Sequence, residues 1–204
     1  MRRIATALLA GVAMAAPLGA AEPVVIERPV WKVGDSWQFH YTDKRSGVTT
    51  PRKHWIEEVR PDGGYVLRFG NGHAEQRDRD FQVEPDAGAQ YKTSWYRWPL
   101  RVGDQWNWEA PVKMEAGNGT SVNSGQALAF EGIDTPAGHF DCMKIVRELT
   151  TRVIDVRQTS RSNYSSTREV TTWWCPAIRN FAREVDVWRD GYGGYRETEM
   201  VLVS

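Results

Sequence analysis

The chain lacks most of the short signals that announce chemistry. No G-x-S-x-G, H-E-x-x-H, C-x-x-C, P-loop or dinucleotide fingerprint occurs anywhere in it. Apolar residues at helical spacing are almost absent after the first two dozen positions, which excludes helical bundles and alternating α/β folds. There is no surplus of either charge: Lys and Arg number 26, Asp and Glu 26. Such a balance suggests neither nucleic acid nor an anionic membrane surface as a partner. Past Ala16 no stretch is continuously apolar, so no transmembrane segment is expected in the mature chain. Cysteine is scarce, with two in 204 residues.

What is present at the start is a leader. Arg2 and Arg3 form a basic n-region, Ile4 to Ala16 an apolar run, and Gly19, Ala20 and Ala21 a small-residue cleavage site. This reads as a secretory signal peptide over residues 1–21, cut after Ala20 or Ala21, followed by a single domain over 22–204. No cysteine sits at the cleavage site, and the Arg pair lacks the rest of a twin-arginine pattern. The expected location is periplasmic, with secretion as the alternative. Roughly 180 mature residues suffice for one core that buries about 70% of the unfolded chain's surface.

In an oxidising compartment Cys142 and Cys175 are expected to form a disulfide, with two separate buried thiols as the alternative. Paired, they close a loop of about thirty residues, for which chain entropy gives roughly 3 to 4 kcal/mol. Unpaired, they are two buried thiols. Metal binding is the weaker idea, since no C-x-x-C pair is present.

Short period-2 stretches punctuated by Gly, Pro, Asp and Asn run to the last residue, so the class is all-β. In WQFHY, Trp37, Phe39 and Tyr41 share one face. HWIEEVRPDGGYVLRF is a hairpin about Pro61 to Gly64, with Tyr65, Leu67 and Phe69 alternating after it and GNG (Gly70 to Gly72) ending the strand. PDAG (Pro85 to Gly88) is a turn. GNGTSVNSG (Gly117 to Gly125) reads as a loop or hairpin end. ALAFEGIDTPAGHFDCMKIVREL turns at Asp134 to Gly138. Arg152 to Thr172 is read as two solvent-facing strands turning near Ser160 to Asn163. The end is a hairpin about Asp190 to Gly194, with Phe181, Val185 and Val187 facing opposite to Glu184 and Asp186. About nine or ten strands joined by tight turns favour an antiparallel meander. Without helices to cover it the sheet must curl, into a half-barrel or open barrel first and a two-sheet sandwich second.

VGDSW (Val33 to Trp37) recurs as VGDQW (Val102 to Trp106). Glycine permits a positive φ, the aspartate accepts from nearby backbone amides, and the tryptophan is the first inward side chain. The pair is thus read as one turn-to-strand device used at the start of each half of one sheet.

Three segments, PLRVGDQWNW (Pro99 to Trp108), DTPAGHFDCMKI (Asp134 to Ile145) and TTWWCPAIRNFAREV (Thr171 to Val185), together resemble a loose set of bacterial exported β-sheet proteins without established activity. The resemblance implies a curved antiparallel sheet, remotely similar to the half-barrels of periplasmic lipoprotein carriers. The amphipathic helices that plug those carriers are missing here. No catalytic residue transfers.

His40, His54, His73 and His139 are scattered. His73 with Glu75, Asp78 and Asp80 is the one acidic cluster, but Arg77 and Arg79 interleave it, so a solvated, internally paired loop is expected, with no metal and no cofactor. Aromatics are the better lead. The chain has ten tryptophans, and Trp95, Tyr96, Trp98, Trp106 and Trp108 crowd one short stretch. Trp95 and Trp98 have opposite parity, so they cannot share a face unless the strand breaks. Most rings are expected to fill the core, each ring pair adding about 0.5 to 1.5 kcal/mol. Trp95, Tyr96, Trp98 and Trp174 are the pocket candidates. The expectation is a non-enzymatic envelope protein holding an apolar or lipid-like ligand on an aromatic-lined concave face. Its alternatives are an interaction module for an envelope protein or glycan, and a weak carboxylate-based hydrolase.

Overall fold

The computed structural model describes residues 24–82, 95–114, 117–155 and 163–204. The segments read as a leader and as the PDAG turn lie outside the described residues. The fold is all-β, as the patterning indicates, with β1 (Val25–Ile26), β2 (Ser36–Asp43), β3 (Thr49–Val59), β4 (Tyr65–Phe69), β5 (Ala74–Arg77), β6 (Leu100–Arg101), β7 (Gln105–Met114), β8 (Gly117–Thr135), β9 (Gly138–Asp155), β10 (Asn163–Cys175), β11 (Asn180–Asp190) and β12 (Tyr195–Leu202). A 3-10 turn at Pro176–Ile178 separates β10 from β11. β1 and β6 pair as a small ribbon, and the other ten strands form one open antiparallel sheet ordered β5-β4-β3-β2-β12-β11-β10-β9-β8-β7.

That order is two meanders, β2 to β5 and β7 to β12, joined where β12 pairs with β2, Leu202 opposite Phe39. Each meander opens with one copy of the repeat, and the two copies have the same geometry. Gly34 and Gly103 take φ of 91° and 93°, a conformation open to glycine and strained for other residues. Oδ2 of Asp35 accepts from the Lys32 amide at 2.8 Å, and Oδ2 of Asp104 from the Arg101 amide at 2.7 Å. The glycine amides then donate to Ile56 and Ala127 carbonyls on the next strand, at 3.0 and 2.8 Å. Trp37 and Trp106 follow as buried side chains. One difference separates the copies. Arg179 of the WCPAIRNF turn donates to Oδ1 of Asp35 at 2.6 Å, and the Trp37 indole donates to the Ile178 carbonyl at 2.9 Å, which clamps the first copy to the β10–β11 connection.

Two expectations differ from the structure. GNGTSVNSG is the first half of β8, not a loop. It pairs with β7 and β9 on both sides, Ser121 opposite Ala110 and Thr151, so its backbone is satisfied without apolar side chains. Among the described residues the main sheet has ten strands, as expected, and the β1–β6 ribbon adds two more. In β11, Phe181 shares the inward face with Glu184 and Asp186, because a bulge at Trp173/Trp174 sets Trp173 opposite Arg183 but Trp174 opposite Phe181. The extra residue, Ala182, reverses the alternation, and Val185 and Val187 turn outward.

The sheet curls until distant strands meet through their rings. Phe39 of β2 stacks on Phe181 of β11 with centroids 4.7 Å apart. Trp31, from the segment before β2, joins Tyr65 of β4 at 4.5 Å to Trp174 of β10 at 6.3 Å, although β3, β2, β12 and β11 lie between those strands. Cys142 and Cys175 are disulfide-bonded across β9 and β10, Cα atoms 4.1 Å apart, one step beyond the Trp174–Met143 pair.

Candidate functional site

Neighbouring strands place directly opposed residues on one face, so the concave surface can be read as rows. Along β10 the inward side chains run Trp174, Thr172, Val170, Arg168. Their partners on β9 are Met143, Ile145, Arg147 and Leu149, and on β11 Phe181, Glu184, Asp186 and Trp188. The surface therefore grades from aromatic at the disulfide end to ionic two rows along.

At the aromatic end Trp174 is fully buried. Around it stand Phe81 at 5.4 Å, Tyr96 at 4.9 Å and Trp98 at 5.3 Å. The ionic end is enclosed apart from Arg168, whose side chain is 33% exposed. Arg168 grips Asp186 through both oxygens, at 3.0 and 2.8 Å. Arg147, 6% exposed, reaches Thr172 Oγ1 at 3.3 Å and Glu184 Oε2 at 3.4 Å. Arg77, 5% exposed, pairs with Glu75 and donates to the Phe81 carbonyl at 3.3 Å. Burial pulls the Arg147 guanidinium down from its ordinary pKa, against the upward pull of Tyr96 and Glu184. The same burial pushes the Tyr96 hydroxyl up to about 12. The indole of Trp95 occupies the middle, with the guanidinium carbons of Arg147, Arg77 and Arg168 at 4.1, 5.6 and 5.9 Å from ring centroids.

Between this set and β3–β4 lies a cavity of about 420 Å³. Its inner wall is Leu67, Phe69, Phe81, Trp95, Tyr96, Phe181 and Met200, and its mouth carries Arg52, Lys53, Gly70 and Asn71, all exposed. Phe81 is held there with φ of 69°, a left-handed conformation that costs an ordinary residue about 1 kcal/mol or more. The carboxylate of Asp78 secures that turn by accepting from the Asp80 and Gln82 amides at 2.9 and 3.0 Å. His54 stands in the wall between the Phe39 and Phe69 rings. Its imidazole is pushed down to about 4, first by burial and then by the charges of Arg77 and Arg52.

Of the sequence candidates, Trp95 and Tyr96 line this cavity. Trp174 lies beneath them as core. Trp98 borders a second cleft of about 310 Å³ with Trp106, Trp108, Arg97, Asn107, Asp80 and Gln82. Trp95 and Trp98 belong to no common strand, since only Leu100–Arg101 beyond them is extended and paired. The acidic cluster does not converge. His73 and Glu75 are 3.7 Å apart, Glu75 holds Arg77, and Asp80 holds Arg28 at 3.0 Å. Arg77 is buried, which corrects the expectation of a solvated loop. Among the described residues, no three His, Cys, Asp or Glu side chains gather as a cation site. The arginines of the concave face were not among the candidates. Parity could have found Arg147, which continues the buried series Met143, Ile145 on the same strand.

No protein-family model matches the chain, and no curated protein does. Solved structures with a similar path include a candidate lipoprotein from Parabacteroides distasonis (16% identity, 88% of this chain and 96% of that one, TM-score 0.45). A candidate exported protein with YmcC-like fold from Bacteroides fragilis gives 12% identity, coverage of 89% and 98%, and a TM-score of 0.40. The hypothetical lipoprotein YmcC from Escherichia coli gives 10% identity, coverage of 83% for both chains and a TM-score of 0.43. Likenesses this distant carry no function across.

Proposed function

We propose that this is a non-enzymatic protein of the periplasm or cell envelope that holds an apolar or lipid-like ligand on the concave face of its sheet. The observation that supports the reading is the cavity of about 420 Å³ with Phe69, Phe81, Trp95, Tyr96, Phe181 and Met200 in its wall. Sites for small molecules span roughly 300 to 1,000 Å³ and combine apolar walls with a few placed polar groups. This cavity is at the small end of that range, suited to one chain or a compact ring system. Glu75 and Glu184 also border it, but Arg77 and Arg147 each engage one of them, an arrangement suited to structure rather than acid–base work. The signal-peptide reading of residues 1–21 supports the proposed location.

Native mass spectrometry of protein purified from the periplasm tests this reading. A bound apolar molecule is expected, together with a change in tryptophan fluorescence when an acyl chain is added, because Trp95 lies in the wall. Protein that carries nothing and ignores fatty-acid and phospholipid probes removes the reading.

A second reading rests on the separate cleft. Trp98, Trp106 and Trp108 beside Arg97, Asn107 and Gln82 offer indole faces and hydrogen-bonding groups suited to sugar rings of an envelope glycan. It predicts capture by peptidoglycan that Trp108→Ala abolishes while acyl-chain binding is untouched.

A further inference from the structure

The charges around the concave cavity divide into a balanced set and a surplus. Inside, three guanidinium groups meet three carboxylates: Arg77 with Glu75, Arg147 with Glu184, Arg168 with Asp186. These six neutralise one another and leave nothing over for a ligand. The mouth is different. Arg52 and Lys53 both border it, and their ionic contacts are with rings alone. The Arg52 guanidinium lies 5.0 Å from the Tyr41 ring and the Lys53 ammonium 5.6 Å from the Trp55 ring. Among the described residues, neither has a carboxylate within salt-bridge distance.

Register explains why Arg52 is there. It lies directly opposite Phe39, whose side chain is fully buried and inward, so Arg52 projects from the concave side of β3 at the rim. His54, two residues on and opposite Trp37 and Phe69, continues the same face one step deeper. A visitor moving inward from the rim thus meets a fixed positive charge, then an imidazole, then Phe69, Phe81, Phe181 and Met200. Exposure follows the same order: Arg52 is exposed, His54 and Phe69 half-buried, Phe81 and Phe181 buried. An apolar ligand with a neutral head would leave the rim charge to water. A cationic head would meet repulsion from Arg52, the unneutralised charge on that face.

Building on the proposed apolar-ligand function, we infer that the ligand is a single-chain amphiphile with an anionic head, the head paired with Arg52 at the rim beside His54 and the chain laid against Phe69, Phe81 and Phe181. The partner is defined by chemistry: an acyl carboxylate or alkyl phosphate of one chain. A guanidinium serves either head through paired N–H donors. The head would also lie against an imidazole whose proton affinity is depressed by burial and by Arg77 and Arg52. A negative charge beside it acts in the opposite direction, which supplies a readout independent of affinity.

The test compares dodecanoate, dodecyl phosphate, dodecanol and dodecylammonium, each below its micelle concentration, with acetate and inorganic phosphate as headgroups without a chain. Tryptophan fluorescence and calorimetry are expected to rank dodecanoate or dodecyl phosphate at least about tenfold above dodecanol, with dodecylammonium weakest. The stronger of the two anions tells carboxylate from phosphate. Arg52→Gln, a change at an exposed residue with no carboxylate partner among the described residues, is expected to remove that preference and leave dodecanol affinity unaltered. In the unmodified protein, NMR titration of the His54 ring is expected to show its pKa rising from about 4 when dodecyl phosphate, which stays charged across that range, is bound, and unmoved by dodecanol. Equal binding of dodecanol and dodecanoate, or an Arg52→Gln protein that keeps the preference, overturns the headgroup inference and leaves the apolar-ligand function standing. Acetate or phosphate binding as tightly as the chain-bearing anions makes this a bare-anion site and overturns it as well. Failure of all four chain-bearing probes removes the function and the inference together.

Discussion

The two ends of the concave face are built from the same three strands and are both largely enclosed, Arg168 excepted at 33% exposure, yet they are held together by different physics. At the disulfide end Trp174, Met143 and Phe181 fill one row with packed apolar volume. Two rows away Val170 stands between Arg147 and Asp186, and the enclosure is completed by ion pairs and by guanidinium groups around Trp95. Burial of rings is favourable in itself, about 25 cal/mol per Å² of apolar surface. Burial of charges costs several kcal/mol per ion unless partners are kept. The aromatic end therefore supplies stability, whereas the ionic end is stable only as a complete set.

The largest effects should therefore come from breaking each end in its own way. Trp174→Ala removes the ring at the centre of the Phe81, Tyr96 and Trp98 cluster, and a loss of about 3 to 5 kcal/mol is expected in guanidinium unfolding. Arg147→Met should cost a similar amount, about 3 kcal/mol or more, by leaving the Glu184 carboxylate without its cation and with only the Thr172 hydroxyl at 3.1 Å as partner. The ends separate in the double variant. Arg147→Met with Glu184→Met is expected to recover most of the single loss, because the unpaired carboxylate is gone too. If the double variant is no more stable than Arg147→Met, the ionic end is not a coupled set and the comparison fails.

Next in size is the covalent clamp at the aromatic end. Cys142→Ala with Cys175→Ala is expected to cost about 2 to 5 kcal/mol. Under oxidising conditions the denatured protein should take up no thiol reagent, and stoichiometric labelling at both cysteines would contradict the bridge.

These contrasts also show what a linear reading can reach. The repeat was legible because its chemistry is local: a glycine at φ near 90°, an aspartate reaching three residues back and a tryptophan two residues on leave their mark in five consecutive letters. The hairpins at Pro61–Gly64, Asp134–Gly138 and Asp190–Gly194 were legible for the same reason. The reversed face of β11 was not, since the bulge at Ala182 depends on how β10 lies beside it. Gly117 to Gly125 misled because its strand is stabilised by two neighbours rather than by its own side chains. The site fared likewise. Trp95 and Tyr96 could be singled out by composition, but the company of Arg77, Arg147 and Arg168 arises from three strands far apart in sequence, and charged residues in a polar-looking stretch resemble solvated ones until the sheet curls around them.

His54 lies on the border between rings and charges, and its titration gauges that border. Its pKa is about 4 when folded, against 6.5 for an ordinary histidine, so between those values the unfolded chain binds the extra proton. The sign follows: the contribution is complete above pH 6.5 and is lost as pH falls from there to about 4. The loss should be on the order of 2 to 3 kcal/mol. His54→Gln is expected to flatten that part of the stability profile between pH 7 and 4.5. An unchanged slope would mean that the imidazole is solvated and that the border is wetter than its packing against Phe39 and Phe69 indicates.

The smallest effect is expected where the same ion types face outward. Glu199 lies on the convex side opposite Val185, and it meets Lys44 and Arg183, the latter at 2.6 Å. Both cations are about two-fifths exposed, at 40% and 43%, so solvent and salt screen them. Glu199→Gln should lower stability by no more than about 1 kcal/mol, and the difference should shrink between 0.05 and 0.5 M salt as the screening length shortens. The Arg147→Met loss should persist across the same range, because the Arg147–Glu184 pair is shielded from mobile ions. A common salt dependence for the two variants would place both pairs in the same dielectric environment, and the concave face would then have to be open to water along its ionic end.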